Sequence, residues 1–247
     1  MRRATIGLMT LALAPWAVYA GDEPASELTD PLEILKRVDE AAKAVQAVKY
    51  DVTVEGLDAA QTITPAIEGT YLLTGWAENQ PEKFLISARA KRAGGTTFLS
   101  DITAGYDGKI RFLIDHKTRK VTQGTDWKVF SNVKRNYTPG VMGEFLHPTP
   151  FTDEINGKSQ VLKGSAEMGG EDCYEVEVIY DNPAAQDAYA VWYIAKKDFL
   201  PRARKDVFKM PNGKVGGQLR VLTNLVVDPP LDDNSFMLHV PEGYEGP

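Results

Sequence analysis

Cysteine is nearly absent from this sequence: Cys173 is the one thiol among 247 residues. A single thiol leaves no partner for an internal disulfide, so a large apolar core must stabilise the chain, and its length allows one. Cys173 falls within a strand pattern of alternating apolar and polar residues. Such a position favours a small buried hydrophobe over a reactive thiol.

Recognisable catalytic motifs are missing as well. The sequence has no HExxH, no GxSxG, no glycine-rich phosphate loop and no cluster of cysteine and histidine. The three histidines, His116, His147 and His239, are far apart in the chain and do not indicate a shared metal. These absences predict a protein that is not an enzyme and needs neither a metal nor a cofactor.

One short pattern is compatible with a hydrolase, which is therefore an alternative function. Ser131 and Lys134 match S-x-x-K, in which a lysine one helical turn away activates a serine. The partner motifs of that hydrolase class, S-D-N and K-T-G, are both missing. The acidic residues Asp228, Asp232 and Asp233 lack the ligand spacing of a calcium loop and have ordinary turn composition.

Long apolar runs are confined to the N-terminus, where residues 6–18 follow two arginines. This run is shorter than the ~20 apolar residues of a membrane span, and Pro15 interrupts it. Small residues at its end are typical of signal-peptide cleavage, so we expect cleavage after Ala20 and an exported, soluble chain. The next residue is Gly21 rather than the cysteine of a lipoprotein, which predicts no lipid anchor. Residues 21–29 are polar and acidic and are predicted to be a disordered leader.

Basic side chains are fewer than acidic ones. Without the predicted signal peptide the chain has 26 basic and 34 acidic side chains, a formal charge of −8. This balance argues against a nucleic-acid partner. Basic side chains cluster in two places: a strand with Arg202, Arg204, Lys205 and Lys209, and a turn that begins at His116. The simplest interpretation is that both clusters lie on a solvated surface.

One helix is strongly indicated, from Asp30 to about Lys49. Asp30 is a favourable N-cap, Pro31 suits the first turn and Glu33 can complete a capping box. One side of the helix carries an apolar stripe made of Ile34, Leu35, Val38, Ala41, Ala42, Val45 and Val48. Such a helix, about 27–30 Å long, needs an apolar surface to lie against.

After the helix, alternating apolar and polar residues predict about ten or eleven strands, the last at residues 236–240. Three tight-turn signals, Asp107-Gly108, Gly169-Gly170 and Asn212-Gly213, indicate an antiparallel sheet. A sheet with so many strands usually curls or closes. We expect a single α+β, mainly β, domain over residues 30–247, since no linker composition divides it.

Residues 126–155 break the strand pattern, yet they are rich in aromatic and apolar side chains. A long irregular segment in a compact domain is usually functional, and an apolar one must cover something. We interpret it as a lid with a short helix near residues 141–146, whose apolar contacts come from Met142, Phe145 and Leu146. A loop folded onto an ordinary core is the alternative.

Three parts of the second half, residues 170–176, 192–194 with 200–202, and 231–244, resemble a family of exported proteins, the LolA-like group, which includes RseB-like proteins. The resemblance implies a strongly curved, open half-barrel with the helix on its concave face, in a periplasmic protein without enzymatic activity.

The same resemblance implies an apolar cavity between helix and sheet that holds the acyl chains of a lipid or lipoprotein, with a membrane protein as donor or acceptor. The wall positions that we expect are Val38, Val45, Phe84, Ile86, Phe112, Ile114, Trp192 and Ile194. These residues could instead interlock as a filled core, because alternation does not distinguish a wall from a core. An envelope-sensing interaction module of the RseB type is the alternative function.

Overall fold

The computed structural model describes residues 27–75, 81–125, 137–181 and 188–247. The predicted signal peptide and most of the predicted leader lie outside the described residues, and so do Ser131 and Lys134 of the hydrolase alternative. Within the described part, no helix is both long and apolar enough to cross a membrane.

The first element, α1, spans Pro31–Lys43 and is shorter than predicted. The Asp30 carboxylate caps it by accepting the Leu32 N–H at 3.0 Å. Its 13 residues make it roughly 20 Å long. The expected continuation to Lys49 is wrong, because β-branched residues and alternating burial begin a strand at Ala47.

In the part of the chain that the structure describes, eleven antiparallel strands follow the helix, as the alternation predicts. In chain order they are β1 (Ala47–Asp58), β2 (Ala66–Thr74), β3 (Lys83–Lys91), β4 (Phe98–Tyr106), β5 (Arg111–Asp115), β6 (Lys120–Gly124), β7 (Ser159–Met168), β8 (Glu171–Ile179), β9 (Tyr189–Ala195), β10 (Pro201–Lys209) and β11 (Val215–Val227). The strand predicted at residues 236–240 is wrong, since turns form at 233–236 after a run of aspartate and asparagine.

The strand order places the first and last strands side by side in the middle of the sheet. From edge to edge it reads β6-β5-β4-β3-β2-β1-β11-β10-β9-β8-β7. Two meanders, β1 to β6 and β7 to β11, therefore join along a single seam, the pairing of β1 with β11. The sheet is curved and open, with β6 and β7 as its edges.

The concave face of the sheet and α1 share the main core. Every second residue of β1, namely Tyr50, Val52 and Val54, points inward and is buried. Ile34 and Val38 of α1 are fully buried in the same cluster. The helix therefore lies on the concave face, as the resemblance implies.

Residues 229–247, which we call the C-terminal strap, pack on the outer face of the sheet near β5 and β6. A small apolar cluster joins the two; its members are Leu85, Phe112, Ile114 and Val121 of the sheet, together with Leu238 and Tyr244 of the strap. The backbone of Glu245 bonds to Arg119 and Val121 at 2.9 and 3.0 Å. The strap thereby protects an edge of the sheet from pairing with other chains.

Phe112 and Ile114 lie in this outer cluster, so the prediction that they line the concave interior is wrong. The register pairs Leu113 with Ala104, a fully buried residue of the main core. Because successive residues of a strand point to opposite faces, Leu113 faces inward and its two neighbours face outward. The Phe112 ring covers Gly105, where an added Cβ would come within 2.3 Å of it.

Candidate ligand-binding site

Residues 137–155, which we call the covering segment, lie between α1 and the concave face of the sheet. They form two 3-10 turns, Thr138–Gly140 and Gly143–Phe145, and then the short helix α2, Thr152–Ile155. The helix predicted near residues 141–146 is therefore a single 3-10 turn. The first part of the predicted lid, residues 126–136, lies outside the described residues.

Apolar side chains of the covering segment fill the space between α1 and the sheet. Met142, Phe145 and Phe151 have no exposed surface. The Phe151 ring meets Trp192 edge-on at 4.8 Å, and the Phe145 ring lies 6.1 Å from Tyr50. In this conformation the interior is a packed core, one of the two alternatives that the sequence leaves open.

Most of the predicted wall residues and all three predicted lid residues meet in this core. They are Val38, Val45, Phe84, Ile86, Trp192 and Ile194 from the helix and sheet, and Met142, Phe145 and Leu146 from the covering segment. All of them are buried. A ligand therefore reaches the predicted walls only when the covering segment moves away.

Two stacked tyrosines of the sheet hold the covering segment by its backbone. The Tyr71 hydroxyl donates to the Tyr137 carbonyl at 2.9 Å, and the Tyr50 hydroxyl donates to the Gly140 carbonyl at 3.1 Å. The Tyr50 oxygen also accepts the Met142 N–H at 2.9 Å. Burial raises the pKa of both tyrosines, so both remain neutral donors. A Cβ on Gly140 would lie 2.3 Å from the Tyr71 hydroxyl, and glycine allows this close approach.

Two arginines of neighbouring strands add charged attachments. Arg204 donates to the Glu144 carboxylate at 2.6 Å, and Arg220 donates to the Pro139 carbonyl at 2.5 Å. Arg204 also pairs with Asp206 at 2.7 Å. Only 21% of the Arg204 side chain and 19% of the Glu144 side chain are exposed. Hydrogen bonds between ionised groups are strong, and partial burial shields this one from solvent screening.

Two carboxylates complete the attachment. Asp39 of α1 accepts the Phe151 N–H at 3.2 Å, and Glu154 of α2 accepts the Tyr180 hydroxyl at 2.9 Å. Burial, with a smaller contribution from the negative charge of Glu144, raises the pKa of Glu154 to about 7. The covering segment thus carries an acid that titrates near neutral pH.

A cleft of about 910 Å³ opens beside the covering segment, against β10 and β11. Its lining joins residues of the segment to residues of the strands, among them Glu144, Glu154, Tyr180, Arg204, Asp206, Phe208, Gln218 and Arg220. The volume is that of a small-molecule site. Because the lining mixes charged and apolar groups, the cleft differs from the purely apolar cavity that the resemblance implies.

Three of the polar residues that the sequence offers for chemistry, His116, Asp228 and Asp232, have structural contacts. His116 lies 2.9 Å from the hydroxyls of both Thr103 and Tyr244. Asp228 accepts two backbone N–H groups between α1 and β1, and Asp232 caps a turn after β11. Among the residues that the structure describes, no group of three or more His, Cys, Asp or Glu is placed to hold a metal ion.

Sequence reasoning misses the groups that attach the covering segment. The sequence does indicate that Arg220 is unusual. It stands two residues before the buried Leu222 on the inward face of β11, where a charge is unexpected. Tyr50 and Tyr71 give no such indication, since an inward tyrosine is typical of an ordinary core. Glu144 gives none either, because the segment that carries it has no periodicity.

No protein-family model matches this chain, and no curated protein matches its sequence. Solved structures do match. LprF from Mycobacterium bovis has a TM-score of 0.51 at 12% identity, over 88% of this chain and 99% of that chain. MucB in a Pseudomonas aeruginosa MucA/MucB complex has a TM-score of 0.45 at 9% identity, over 85% of this chain and 61% of that chain. A LolA superfamily protein from Nitrosomonas europaea has a TM-score of 0.33 at 11% identity, over 86% of this chain and 99% of that chain.

At these identities the likeness concerns the fold alone. The matched structures include a LolA superfamily protein and MucB. The chain has the fold of LprF, and its open, curved antiparallel sheet with a helix on the concave face is the architecture that the sequence predicts.

Proposed function

We propose that this chain is an exported binding protein that holds the acyl chains of a lipid or lipoprotein on the concave face of its sheet. The observation that carries the proposal is the covering segment. Its apolar side chains occupy the concave interior, yet side-chain hydrogen bonds, rather than strand pairing, attach it to the sheet. A displaced segment would leave an apolar hollow that suits a hydrocarbon chain.

Binding exchanges one set of contacts for another. Opening breaks the seven hydrogen bonds described above and exposes the apolar side chains of Met142, Phe145 and Phe151. The acyl chain replaces this apolar burial, at about 0.8 kcal/mol per buried CH₂. The lost hydrogen bonds, at about 0.5–1.5 kcal/mol each, oppose binding and limit the affinity, so the ligand can leave again.

The location and partners belong to the same proposal. The predicted cleavage after Ala20 and the absence of a cysteine at Gly21 support a periplasmic chain without a lipid anchor. A carrier that gives up its ligand reversibly needs a donor or acceptor in a membrane, and we infer a membrane protein in that role. The proposal includes no catalytic step.

The Tyr71→Phe variant tests whether the segment gates binding. The substitution removes one attachment and lowers the energy needed to open the segment by about 1 kcal/mol. Because the closed state opposes binding, myristate affinity should rise about fivefold. Tyr193→Phe, in the cluster on the opposite face, is the matched control and should leave affinity unchanged. Displacement of a fluorescent fatty acid by myristate measures the affinity of both variants.

Native mass spectrometry of the exported chain supplies the second readout, since a bound lipid would add its mass. The proposal would be contradicted if neither the wild-type chain nor Tyr71→Phe binds myristate and neither carries a lipid. The interaction module of the RseB type would then be the better hypothesis.

A further inference from the structure

Two arginines lie directly opposite each other on the inner face of the sheet. Arg204 of β10 pairs with Arg220 of β11 in the register. Their neighbours in the same cross-strand row are Trp192 on one side and Val54 on the other, both buried in the main core. Like charges placed directly opposite destabilise a sheet, and a partly buried position adds a desolvation cost.

The two arginines are neutralised unequally. Arg204 has two carboxylate partners, Glu144 at 2.6 Å and Asp206 at 2.7 Å. Arg220 contacts the Pro139 carbonyl and, at 3.6 Å, the sulfur of Met142. Among the described residues no carboxylate forms an ion pair with Arg220. One half-buried guanidinium of the pair is therefore left with neutral acceptors.

Glu144 is the one carboxylate of this group that belongs to the covering segment. Asp206 is fixed on β10 beside Arg204, whereas Glu144 moves away whenever the segment opens. Two guanidinium groups and Asp206 then remain at the floor of the cleft, with one net positive charge. Paired guanidinium groups supply several N–H donors in a geometry that matches the oxygens of a phosphate.

We propose that the Arg204 and Arg220 pair receives the phosphodiester of a lipid headgroup, and that Glu144 is the internal anion that occupies this place in the closed state. The inference rests on the proposed function, because the acyl chain of the same lipid would replace the covering segment. In the closed state both arginines already line the cleft of about 910 Å³, so a headgroup can reach them before the segment moves. Phosphate binding would remove the Glu144 attachment, so it also favours the open segment.

The test compares two lipids with the same chain. Myristoyl lysophosphatidylglycerol carries a phosphodiester, and monomyristoylglycerol does not. Wild-type chain should bind the phosphodiester lipid at least about tenfold more tightly, which corresponds to 1.4 kcal/mol. Arg220→Gln should remove this preference and keep the binding of monomyristoylglycerol. Arg89→Gln, which removes an exposed arginine on the outer face, is the matched control and should keep the preference.

Glu144→Gln gives an independent readout that does not require loss of an arginine. Without the competing carboxylate, affinity for the phosphodiester lipid should rise severalfold more than affinity for the glycerol lipid. This variant decides the question if Arg220→Gln fails to fold. An unchanged ratio of the two affinities in Glu144→Gln would contradict the role of Glu144 as the internal anion.

The outcomes separate this inference from the proposed function. Equal affinity of the wild-type chain for the two lipids would overturn the phosphate assignment and leave acyl-chain binding intact. Binding of neither lipid would remove both proposals. Inorganic phosphate lacks the chain and should compete only at a large excess; competition at the concentration of the lipid would overturn the assignment to a lipid headgroup.

Discussion

Glu154 is a buried carboxyl group whose protonation is coupled to folding. Its pKa is about 7 in the folded chain, against an ordinary value of 4.5, because burial disfavours the charged form. Between these two pH values the folded chain holds a proton that the unfolded chain releases. The free energy of unfolding therefore decreases as pH rises from about 4.5 to about 7.

Glu154→Gln should remove this loss of stability. The variant keeps an acceptor for the Tyr180 hydroxyl but has no charge to bury. We expect it to be more stable than the wild-type chain at pH 8, by up to about 3 kcal/mol, and equally stable at pH 4.5. Urea unfolding at the two pH values measures the difference. Glu40→Gln on the exposed side of α1 is the control, and a Glu154→Gln chain less stable than wild type at pH 8 would contradict the prediction.

Residue identity alone predicts little of the site. Alternation predicts that Trp192, Ile194, Phe112 and Ile114 all face the concave interior; Trp192 and Ile194 do, whereas Phe112 and Ile114 lie on the outer face. The reason is that β5 has apolar residues on both faces, since Leu113 faces the core and the strap covers the other side. A sequence shows the two faces of a strand, and the element that covers each face is set by distant parts of the chain.

At the scale of elements, the C-terminal strap explains why the end of the chain is not a strand. Its residues 231–244 contribute to the family resemblance, yet their contacts are side-chain packing and a short stretch of backbone pairing beside β6. Tyr244 combines both kinds of contact, because its ring packs on the outer cluster and its hydroxyl lies 2.9 Å from His116.

Tyr244→Ala should detach the strap and uncover the outer apolar cluster. We expect a loss of about 1–3 kcal/mol in the free energy of unfolding and faster aggregation through the exposed edge of β6. Tyr244→Phe keeps the ring and loses only the hydroxyl. Its free energy of unfolding should fall by about 0.5–1.5 kcal/mol, and the variant should remain soluble. Urea unfolding and light scattering measure these effects; equal aggregation of both variants would show that ring packing does not hold the strap.

The length of α1 shows where helix prediction fails. The apolar stripe continues through Val45 and Val48, and Val48 fits the helical stripe as well as the strand alternation with Tyr50 and Val52. The structure resolves this ambiguity in favour of the strand, because β1 pairs on both sides, with β2 and with β11. Long-range pairing of this kind overrides local helix preference.

At the scale of the whole molecule, the covering segment and the seam should differ in stability. The segment is attached mainly by side chains, whereas β1 has backbone partners along both edges. Hydrogen exchange should therefore be faster at the Met142 and Phe151 amides than at central amides of β1. Tyr71→Phe should accelerate hydrogen exchange in the covering segment and leave the exchange of β1 unchanged. Equal protection of both regions would mean that the segment opens only when the whole chain unfolds.

The architecture as a whole is largely predictable, and the contents of its interior are not. Tight turns and alternation give the antiparallel strands, and their number indicates curvature. The pairing of β1 with β11 joins the two ends of the domain, and no local pattern indicates it. The filling of the concave side by Met142 and Phe145 depends on an irregular segment, whose path no periodicity fixes.

The seam between β1 and β11 imposes a delay on the newly made chain. The last residue of β1 is Asp58 and the first of β11 is Val215, so 156 residues lie between them. An exported chain enters its compartment from the N-terminus, so β1 arrives before the strand that completes its pairing. Until β11 follows, β1 has one bare edge, which exposes it to pairing with other incoming chains. A holding chaperone that shields this edge until the whole chain has arrived would raise the yield of folded molecules.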